Sequence, residues 1–286
     1  MESLAEPLRS RNAFKFIVGI NRVDWADLRF LTRIYSLAGA DIIDVAGRPE
    51  ACATARAAVA QARQQEATGS PGPAIMASLA LPHDPHVEGS GVDPAHRSLI
   101  VPADARALAA NARACLEQGA DMVELHASDS DDDALREAVT ALSAVLAGRY
   151  LSVCLGTEGL RSPRTAIRQA ALVQAIHGPC TMIQAEGIVL AKDGTPASGL
   201  QGLALAQALL AHTGASILVA GGANAWTRGL ALQLAIPIHG IASCTYARNL
   251  VEGFRDPGHA SDDLETPVQL ARRFIRRAKG VPEDAL

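Results

Sequence analysis

Three short apolar segments of this sequence carry polar side chains at matching places. The segments read IDVA, VELH and IQAE, and their second residues are Asp44, Glu124 and Gln184. Because residues two apart face the same side of a strand, His126 and Glu186 extend the same polar face by one step. Carboxylates beside an imidazole can transfer protons, so the pattern indicates general acid–base chemistry. The candidate catalytic residues on this face are Asp44, Glu124, His126 and Glu186.

Lysine is rare in this chain, and Lys15 lies in the otherwise apolar run FKFIVG. The other lysines are Lys192, in a predicted loop, and Lys279, in the tail. We expect Lys15 to lie too deep to form a Schiff base, which disfavours covalent amine catalysis. Lys15 is instead predicted to pair with Asp44 and Glu124. The pairing would make Lys15 either a further catalytic residue or part of a buried network that only satisfies its own charges.

The elements that would position these residues alternate between short apolar strands and helices. Eight strand–helix units between residues 13 and 251 predict an α/β fold, a (β/α)₈ TIM barrel, rather than an open doubly wound sheet. The near-repeat of GADIIDV at 39–45 and GADMVEL at 119–125 favours the barrel. Residues 1–12 are predicted to be irregular. Residues 252–286 are predicted to be a short C-terminal extension with one amphipathic helix, packed on the barrel or on a second copy of the chain.

Two successive strand-to-helix turns within residues 216–248 are built from small residues. Bare backbone N–H groups beside helix N-termini bind anions, and the turns after strands seven and eight form the usual phosphate site of such barrels. We therefore predict that these turns bind the phosphate or carboxylate of a small metabolite. Alternatively, the small residues only let helices pack closely on strands. The predicted substrate-binding residues of this segment are Gly221, Gly222, Asn224, Ser243, Cys244 and Arg248.

The longest irregular stretch of the sequence, residues 81–102, follows the third predicted strand. Loops this long are usually functional, and its position would place it over the barrel opening as a lid or as part of a metal site. Its HDPH motif and His96 could join His126 and Glu186 around a metal, although the spacing matches no known ligand signature. Further predicted substrate-binding residues are Asn21, Ser78, His86 and Gln184.

Composition excludes several classes of protein. The chain has 49% hydrophobic but only 3% aromatic residues, which predicts an aliphatic core, and its net charge of −4 argues against nucleic-acid binding. The five cysteines lie far apart, which argues against an iron–sulfur cluster or a disulfide framework. We interpret Cys154 and Cys244 as small buried hydrophobic residues. Without an apolar run of about 18 residues or an apolar leader, the chain is expected to be cytoplasmic, with no membrane partner.

Several segments of the chain are similar to a known family. FKFIVGIN, IDVA, the DPH of the long loop, AGGANA and SCTYAR resemble the barrel part of the light-dependent period protein (LdpA) family and of a related barrel family of algal plastids and cyanobacteria. The resemblance runs from about residue 13 to 250 and implies a redox-linked regulatory role with iron–sulfur clusters. The ferredoxin-like cysteine segment of that family is replaced here by the HDPH loop, so we expect no cluster.

A second resemblance concerns the GADIIDV turn alone. It is similar to that of the (5-formylfuran-3-yl)methyl phosphate synthase type, which implies phosphate handling. Those synthases have a lysine after IDV where this chain has Ala46.

Three functional hypotheses follow, in order of preference. The first is a cytoplasmic enzyme that acts by acid–base chemistry on a small phosphorylated or carboxylated metabolite, as a lyase, isomerase or synthase. The second is a non-catalytic, LdpA-like regulatory or ligand-binding barrel. The third is a flavin-dependent oxidoreductase, because the same glycine turns could hold a flavin phosphate. A metal or flavin is thus an open alternative, and a homo-oligomer is a candidate assembly.

Overall fold

Eight parallel strands close into a barrel in which each strand pairs with its neighbours in sequence. This computed structural model describes residues 2–19, 24–65, 72–81, 102, 104–127, 131–157, 163–187, 200–221, 223–254 and 264–281. The strands are β1 (Ala13–Gly19), β2 (Ile42–Ala46), β3 (Ala74–Ala80), β4 (Met122–His126), β5 (Leu151–Thr157), β6 (Thr181–Gly187), β7 (Ser216–Ala220) and β8 (Gly240–Ser243). The TIM-barrel prediction is confirmed.

Helices follow the strands and cover the outside of the barrel. Those in the described ranges are α1 (Glu2–Arg9), α2 (Trp25–Ala38), α3 (Pro49–Gln65), α4 (Ala105–Glu117), α5 (Asp132–Leu146), α6 (Pro163–His177), α7 (Leu200–Leu210), α8 (Ala225–Gln233), α9 (Thr245–Glu252) and α10 (Glu265–Ala278). Aspartates begin three of them, because the carboxylates of Asp24, Asp104 and Asp131 accept free N–H groups of the first turn. None of these helices is long and apolar enough to cross a membrane.

The two GAD sequences make the same turn from a helix into the next strand. Their glycines adopt positive φ values of +91° and +104°, which end the preceding helices. The Asp41 carboxylate accepts the backbone N–H of Phe14 at 2.7 Å, and the Asp121 carboxylate accepts that of Ile75 at 2.8 Å. Each aspartate thereby fixes the start of its own strand against the strand before it. The acidic residues three positions further on consequently occupy equivalent places in β2 and β4.

The prediction of an irregular N-terminus is wrong for residues 2–9, which form α1. Leu4 and Leu8, one helical turn apart, are buried against the apolar side chains that fill the N-terminal end of the barrel. Pro7 and the shortness of the segment hide this helix in the sequence, because its stability comes from tertiary packing. The apolar residues that it covers are Ala13, Ile42, Met76, Met122, Met182 and Leu218.

The C-terminal extension contains the predicted amphipathic helix. Val268, Ala271 and Ile275 on one face of α10 are buried in the same core cluster as residues of α2. Just beyond the helix, the Lys279 ammonium lies 2.7 Å from the Asp41 carboxylate of the first GAD turn. Of the two expected positions for this helix, packing on the barrel is the one observed.

Leu8→Ala tests whether α1 belongs to the folded core. We expect the free energy of unfolding to fall by about 2–4 kcal/mol, because the change leaves a cavity beneath the barrel. Urea unfolding followed by circular dichroism measures the loss. The control Glu6→Ala breaks only an exposed pair with Arg9 and should cost less than about 1 kcal/mol. Equal losses in the two variants would contradict a role for α1 in the core.

Candidate active site

The parallel register places the predicted polar residues inside the barrel at two levels. Glu124 pairs with Ser78 on β3, and Gln184 pairs with Cys154 on β5. Because the strands of a barrel are staggered, residues of alternate strands share a level, and Asp44, Glu124 and Gln184 do so as predicted. His126 and Glu186 lie one step nearer the C-terminal ends of the strands, which we call the mouth.

Lys15 joins these residues into a buried group, the lysine cluster of Lys15, Asp44, Glu124 and Gln184. The Lys15 Nζ lies 2.8 Å from Asp44 Oδ2 and 2.6 Å from Glu124 Oε1. It also donates a hydrogen bond to Gln184 Oε1 at 2.8 Å. All four side chains are buried. The predicted salt bridges from Lys15 are confirmed, and each acceptor comes from a different strand.

The charges within the lysine cluster and the burial of its members shift their pKa values in different directions. Burial alone would lower the pKa of Lys15, but the carboxylates of Asp44 and Glu124 outweigh it and raise that pKa. Burial would raise the pKa of Glu124, yet Lys15 and His126 hold it well below its usual range. Burial and the neighbouring Glu124 raise the pKa of Asp44 despite Lys15. Glu124 is therefore the carboxyl that is held in its ionised form, and Asp44 is the one that more readily takes up a proton.

Two buried hydroxyl groups complete the hydrogen bonding of the carboxylates. Ser78 Oγ donates to Asp44 Oδ1, and Ser152 Oγ donates to Glu124 Oε2, each at 2.6 Å. Ser78, predicted to bind substrate, thus supports the lysine cluster. Ser152 was missed by sequence reasoning. The alternation of β5 could have predicted it, because Ser152 lies two residues before Cys154 and therefore faces inward as well.

The level above contains groups that can exchange protons. His126 Nε2 lies 3.4 Å from Glu124 Oε1, and His126 is only 3% exposed. Glu186 is half-buried and accepts a hydrogen bond from Cys154 Sγ at 3.0 Å. The sulfur in turn accepts a weak hydrogen bond from Gln184 Nε2 at 3.5 Å. Cys154 is buried as predicted, but its polar partners correct the interpretation of this residue as a merely hydrophobic one.

The turn after β7 only partly matches the predicted anion site. Gly221 adopts a positive φ of +72°, and Gly222 lies outside the described residues. Asn224, predicted to bind substrate, is the N-cap of α8, and its side-chain oxygen accepts the N–H groups of Trp226 and Thr227. The expected role of the Asn224 side chain is therefore corrected, because helix capping already uses it.

The turn after β8 leaves its helix without such a cap. Cys244 stands at the N-cap of α9 and makes no side-chain capping hydrogen bond within the described structure. Burial, opposed in part by Arg248, raises the pKa of the Cys244 thiol to about 11. Ser243 pairs in register with the outward-facing Phe16, so its hydroxyl faces the helices. Only the backbone of Ser243, and not its side chain, can border the mouth.

Arg248, the remaining predicted anion ligand, pairs with Asp27 of α2. Its side chain is 32% exposed and lines a small pocket together with Gly19, Asp24 and Ala46 at the ends of β1 and β2. Asn21 and His86 lie outside the described residues, as do all residues from 82 to 101, which include the HDPH motif. Within the described residues, no three His, Cys, Asp or Glu side chains are placed to hold a metal ion.

Comparison with known proteins adds support for the fold. No family model and no curated protein matches the sequence. A protein assigned as a deoxyribose-phosphate aldolase from Toxoplasma gondii has a TM-score of 0.58 and 16% identity, over 92% of this chain and 100% of that one. The alpha subunit of tryptophan synthase from Legionella pneumophila has a TM-score of 0.57 and 13% identity, over 100% of both chains. Thiamine phosphate pyrophosphorylase from Pyrococcus furiosus has a TM-score of 0.51 and 12% identity, over 95% of this chain and 98% of that one. At these identities the likeness establishes the TIM-barrel fold alone.

Lys15→Met tests the charge balance of the lysine cluster. We expect the free energy of unfolding to fall by about 3–5 kcal/mol near about pH 8, because two buried carboxyl groups lose their cation. Without the cation, the folded-state pKa of Glu124 rises above its unfolded value, and the pKa of Asp44, already raised in the wild type, rises further. The variant should then regain stability as the pH falls toward about 5, where protonation is easier. Urea unfolding at several pH values measures both effects.

The control for Lys15→Met is Arg168→Met, which breaks an exposed pair with Asp132 on the outside of the barrel. This change should cost less than about 1 kcal/mol and show little dependence on pH. A Lys15→Met variant that resembles this control would contradict the described cluster.

Proposed function

We propose that the chain is a cytoplasmic barrel enzyme that acts by acid–base chemistry on a small phosphorylated or carboxylated metabolite, as a lyase, isomerase or synthase. The observation that carries this proposal is the polar interior of the barrel at its mouth. Val, Ile and Leu normally fill such layers, whereas this chain places Lys15, Asp44 and Glu124 there with His126 and Glu186 above them. The C-terminal end of the strands is where TIM barrels carry out their chemistry.

The two levels suit different tasks in such a reaction. Glu124, kept ionised by Lys15, is placed to orient the His126 imidazole. Glu186, half-buried at the mouth, is placed to remove a proton from a bound substrate. His126 would return a proton to the developing oxyanion. Lys15, Asp44 and Gln184 would act through their electrostatic field and not by direct contact.

The anion of the substrate is proposed to bind at the turn after β8. The Cys244 side chain makes no capping hydrogen bond at the start of helix α9, and the first N–H groups of a helix are the groups that bind a phosphate or carboxylate. The turn that begins at Gly221 follows β7, the strand next to β8 in the barrel. A ligand held there would extend across the mouth toward β4 and β6, where His126 and Glu186 are located.

The compared barrels are consistent with this class of reaction. One is described as an aldolase, one as a pyrophosphorylase of thiamine phosphate and one as a tryptophan synthase subunit. Their names support a lyase or synthase as the broad class to be tested. The identity of the substrate must be determined by experiment.

A second candidate is a non-catalytic, LdpA-like regulatory or ligand-binding barrel. The observation in its favour is the burial of the proton-transfer groups, since Glu124 is 0% and His126 3% exposed. A buried network whose charges balance one another can be retained because it specifies one conformation, without any catalytic role. The test of turnover described next separates the two candidates.

The catalytic roles are tested on the metabolite that copurifies with the protein, identified by mass spectrometry. We expect His126→Ala and Glu186→Gln to lower kcat by about 10²–10⁴-fold while ligand affinity changes little, because each removes a proton-transfer group. Glu137→Gln, an exposed change on α5, is the matched control and should leave kcat unchanged. Wild-type kcat in both site variants would refute their catalytic roles. Absence of turnover by the wild-type protein itself would favour the binding barrel.

The anion site is tested by two substitutions of equal size at the N-cap of α9. Cys244→Asp introduces a negative charge where the phosphate is proposed to bind, and Cys244→Asn introduces none. We expect the affinity for inorganic phosphate, measured by calorimetric titration, to fall at least about tenfold in the aspartate variant, because like charges repel at this distance. Asparagine can also cap the first N–H groups of α9, so the affinity of the asparagine variant should fall less than that of the aspartate variant, and the difference between the two variants measures the effect of charge. Affinities equal to that of the wild type in both variants would place the anion elsewhere.

A further inference from the structure

We propose that Cys154 is a nucleophile of this site and attacks a carbonyl carbon of the substrate, while Glu186 takes the thiol proton. The inference rests on the proposed function, since it assigns a covalent step to the same site. It narrows the substrate class to aldehydes or ketones that also carry a phosphate or carboxylate.

The hydrogen bonds of Cys154 run in the direction that this step requires. The thiol has one proton, and it points to Glu186 Oε2 at a distance of 3.0 Å. An ionised carboxylate only accepts hydrogen bonds, so Glu186 is already placed as the base. Proton transfer from Sγ to Glu186 during attack then needs no rearrangement of either side chain.

Gln184 is oriented so that it stabilises negative charge on the sulfur. The Lys15 ammonium has only donors, so it binds the amide oxygen of Gln184, at 2.8 Å. The amide nitrogen is thereby directed at Cys154 Sγ, 3.5 Å away. The lysine cluster thus presents a fixed N–H donor to the sulfur on which charge develops as the proton leaves. In this proposal, the lysine cluster fixes the orientation of the Gln184 amide in addition to balancing its own charges.

The position of Cys154 restricts the direction from which a substrate can reach its sulfur. Cys154 is buried, and the opposite end of the barrel is filled by apolar side chains under α1. A substrate therefore approaches from the mouth, where Glu186 is half-buried one level above. His126, paired in register with Cys154 on the neighbouring strand, stands on the other side of that approach.

Two other buried cysteines show what a purely structural thiol looks like in this chain. Cys52 and Cys115 lie in the helix layer within an apolar cluster. The hydrogen bond with Cys115 and burial together raise the pKa of the Cys52 thiol far above its ordinary range. No carboxylate acceptor is recorded for either thiol among the described residues, so they serve as internal references for Cys154.

The proposed step balances without a further reagent. A bond forms between Sγ and the carbonyl carbon, and the electron pair of the carbonyl π bond moves to its oxygen. The thiol proton passes to Glu186 and from there to that oxygen, which gives a hemithioacetal and restores the carboxylate. No atom is oxidised or reduced overall. The adduct holds the former carbonyl carbon beneath Glu186 and His126.

The test uses the full chain and glyoxylate, a carboxylated aldehyde, labelled with ¹³C at the aldehyde carbon. We expect a protein-bound ¹³C NMR signal of a saturated carbon attached to sulfur. The signal should be absent in Cys154→Ser and in Cys154→Ala, and retained in Cys180→Ser, which changes a half-buried cysteine at the far end of the barrel. Retention of the signal in both Cys154 variants would overturn the proposal, as would its absence from the wild-type protein.

Glu186→Gln provides the second arm of this test. A base that carries the proton accelerates formation and breakdown of the adduct equally, so its loss should slow both at least about tenfold with little change in the amount at equilibrium. A merely structural role for Glu186 would change the amount and not the two rates together. Adduct formation at the wild-type rate in this variant would overturn the role of Glu186 as base.

Mass spectrometry after iodoacetamide treatment gives an independent readout of Cys154. Trypsin releases it in the peptide 150–161, which contains no other cysteine. We expect faster labelling at Cys154 than at Cys52 or Cys115, and equal labelling would contradict the proposal. These readouts do not depend on turnover. An adduct on a protein that turns over no metabolite would therefore refute the proposed function while leaving the reactivity of Cys154 in place.

Discussion

The buried ammonium of Lys15 is the interaction on which the inside of this barrel depends. Removing a charge from water costs several kcal/mol, and here the cost is offset only by acceptors on β2, β4 and β6 together. Those strands are far apart in sequence and meet only when the barrel is closed. A slip of one residue in any of them would turn its polar side chain toward the helices. A slipped register would therefore leave the Lys15 charge buried without its acceptors, so the lysine cluster disfavours such registers.

The same cluster divides the interior into zones with different chemistry. Below it, methionine, leucine and isoleucine side chains fill the barrel and α1 closes the end. Above it stand an imidazole, a carboxylate and a thiol. One lysine faces two carboxyls, so full ionisation would leave a net negative charge in a medium of low dielectric. The raised pKa of Asp44 is the consequence, and it supplies a buried position where a proton can be held next to the mouth.

The sequence was sufficient to predict the barrel and the level shared by Asp44, Glu124 and Gln184. Strand positions alternate between the two faces, and the repeated GAD turn starts β2 and β4 in the same way, so both features are local patterns. The pairing of Lys15 with Asp44 and Glu124 was predicted from charge balance among inward residues, but other contacts between distant residues were not predictable. The burial of α1 and the pairing of Arg248 with Asp27 are of this kind.

The bonds of Cys154 show the same limit inside the candidate site. The alternation of β5 places its side chain inward, but which atom of Gln184 faces the sulfur depends on where Lys15 sits, 169 positions away from Gln184. Asn224 illustrates a different limit. An asparagine at the start of a helix can either help to bind an anion or cap the helix itself, and the sequence does not distinguish the two roles. In both cases the residue could be predicted, but its partner could not.

The mouth is asymmetric, and the asymmetry has a physical origin in the residues that face inward. On β4, β5 and β6 these are large or reactive, with His126, Cys154 and Glu186 near the top. On β7 the inward residue paired with Glu186 is Ala220, and on β8 Ala242 is paired with Lys15 of the lysine cluster, below the level of His126 and Glu186. Both side chains are smaller than the groups on the opposite side of the barrel. In the proposed function, a ligand whose anion binds at the start of α9 extends past these small residues, so that its far end lies near the sulfur, the carboxylate and the imidazole.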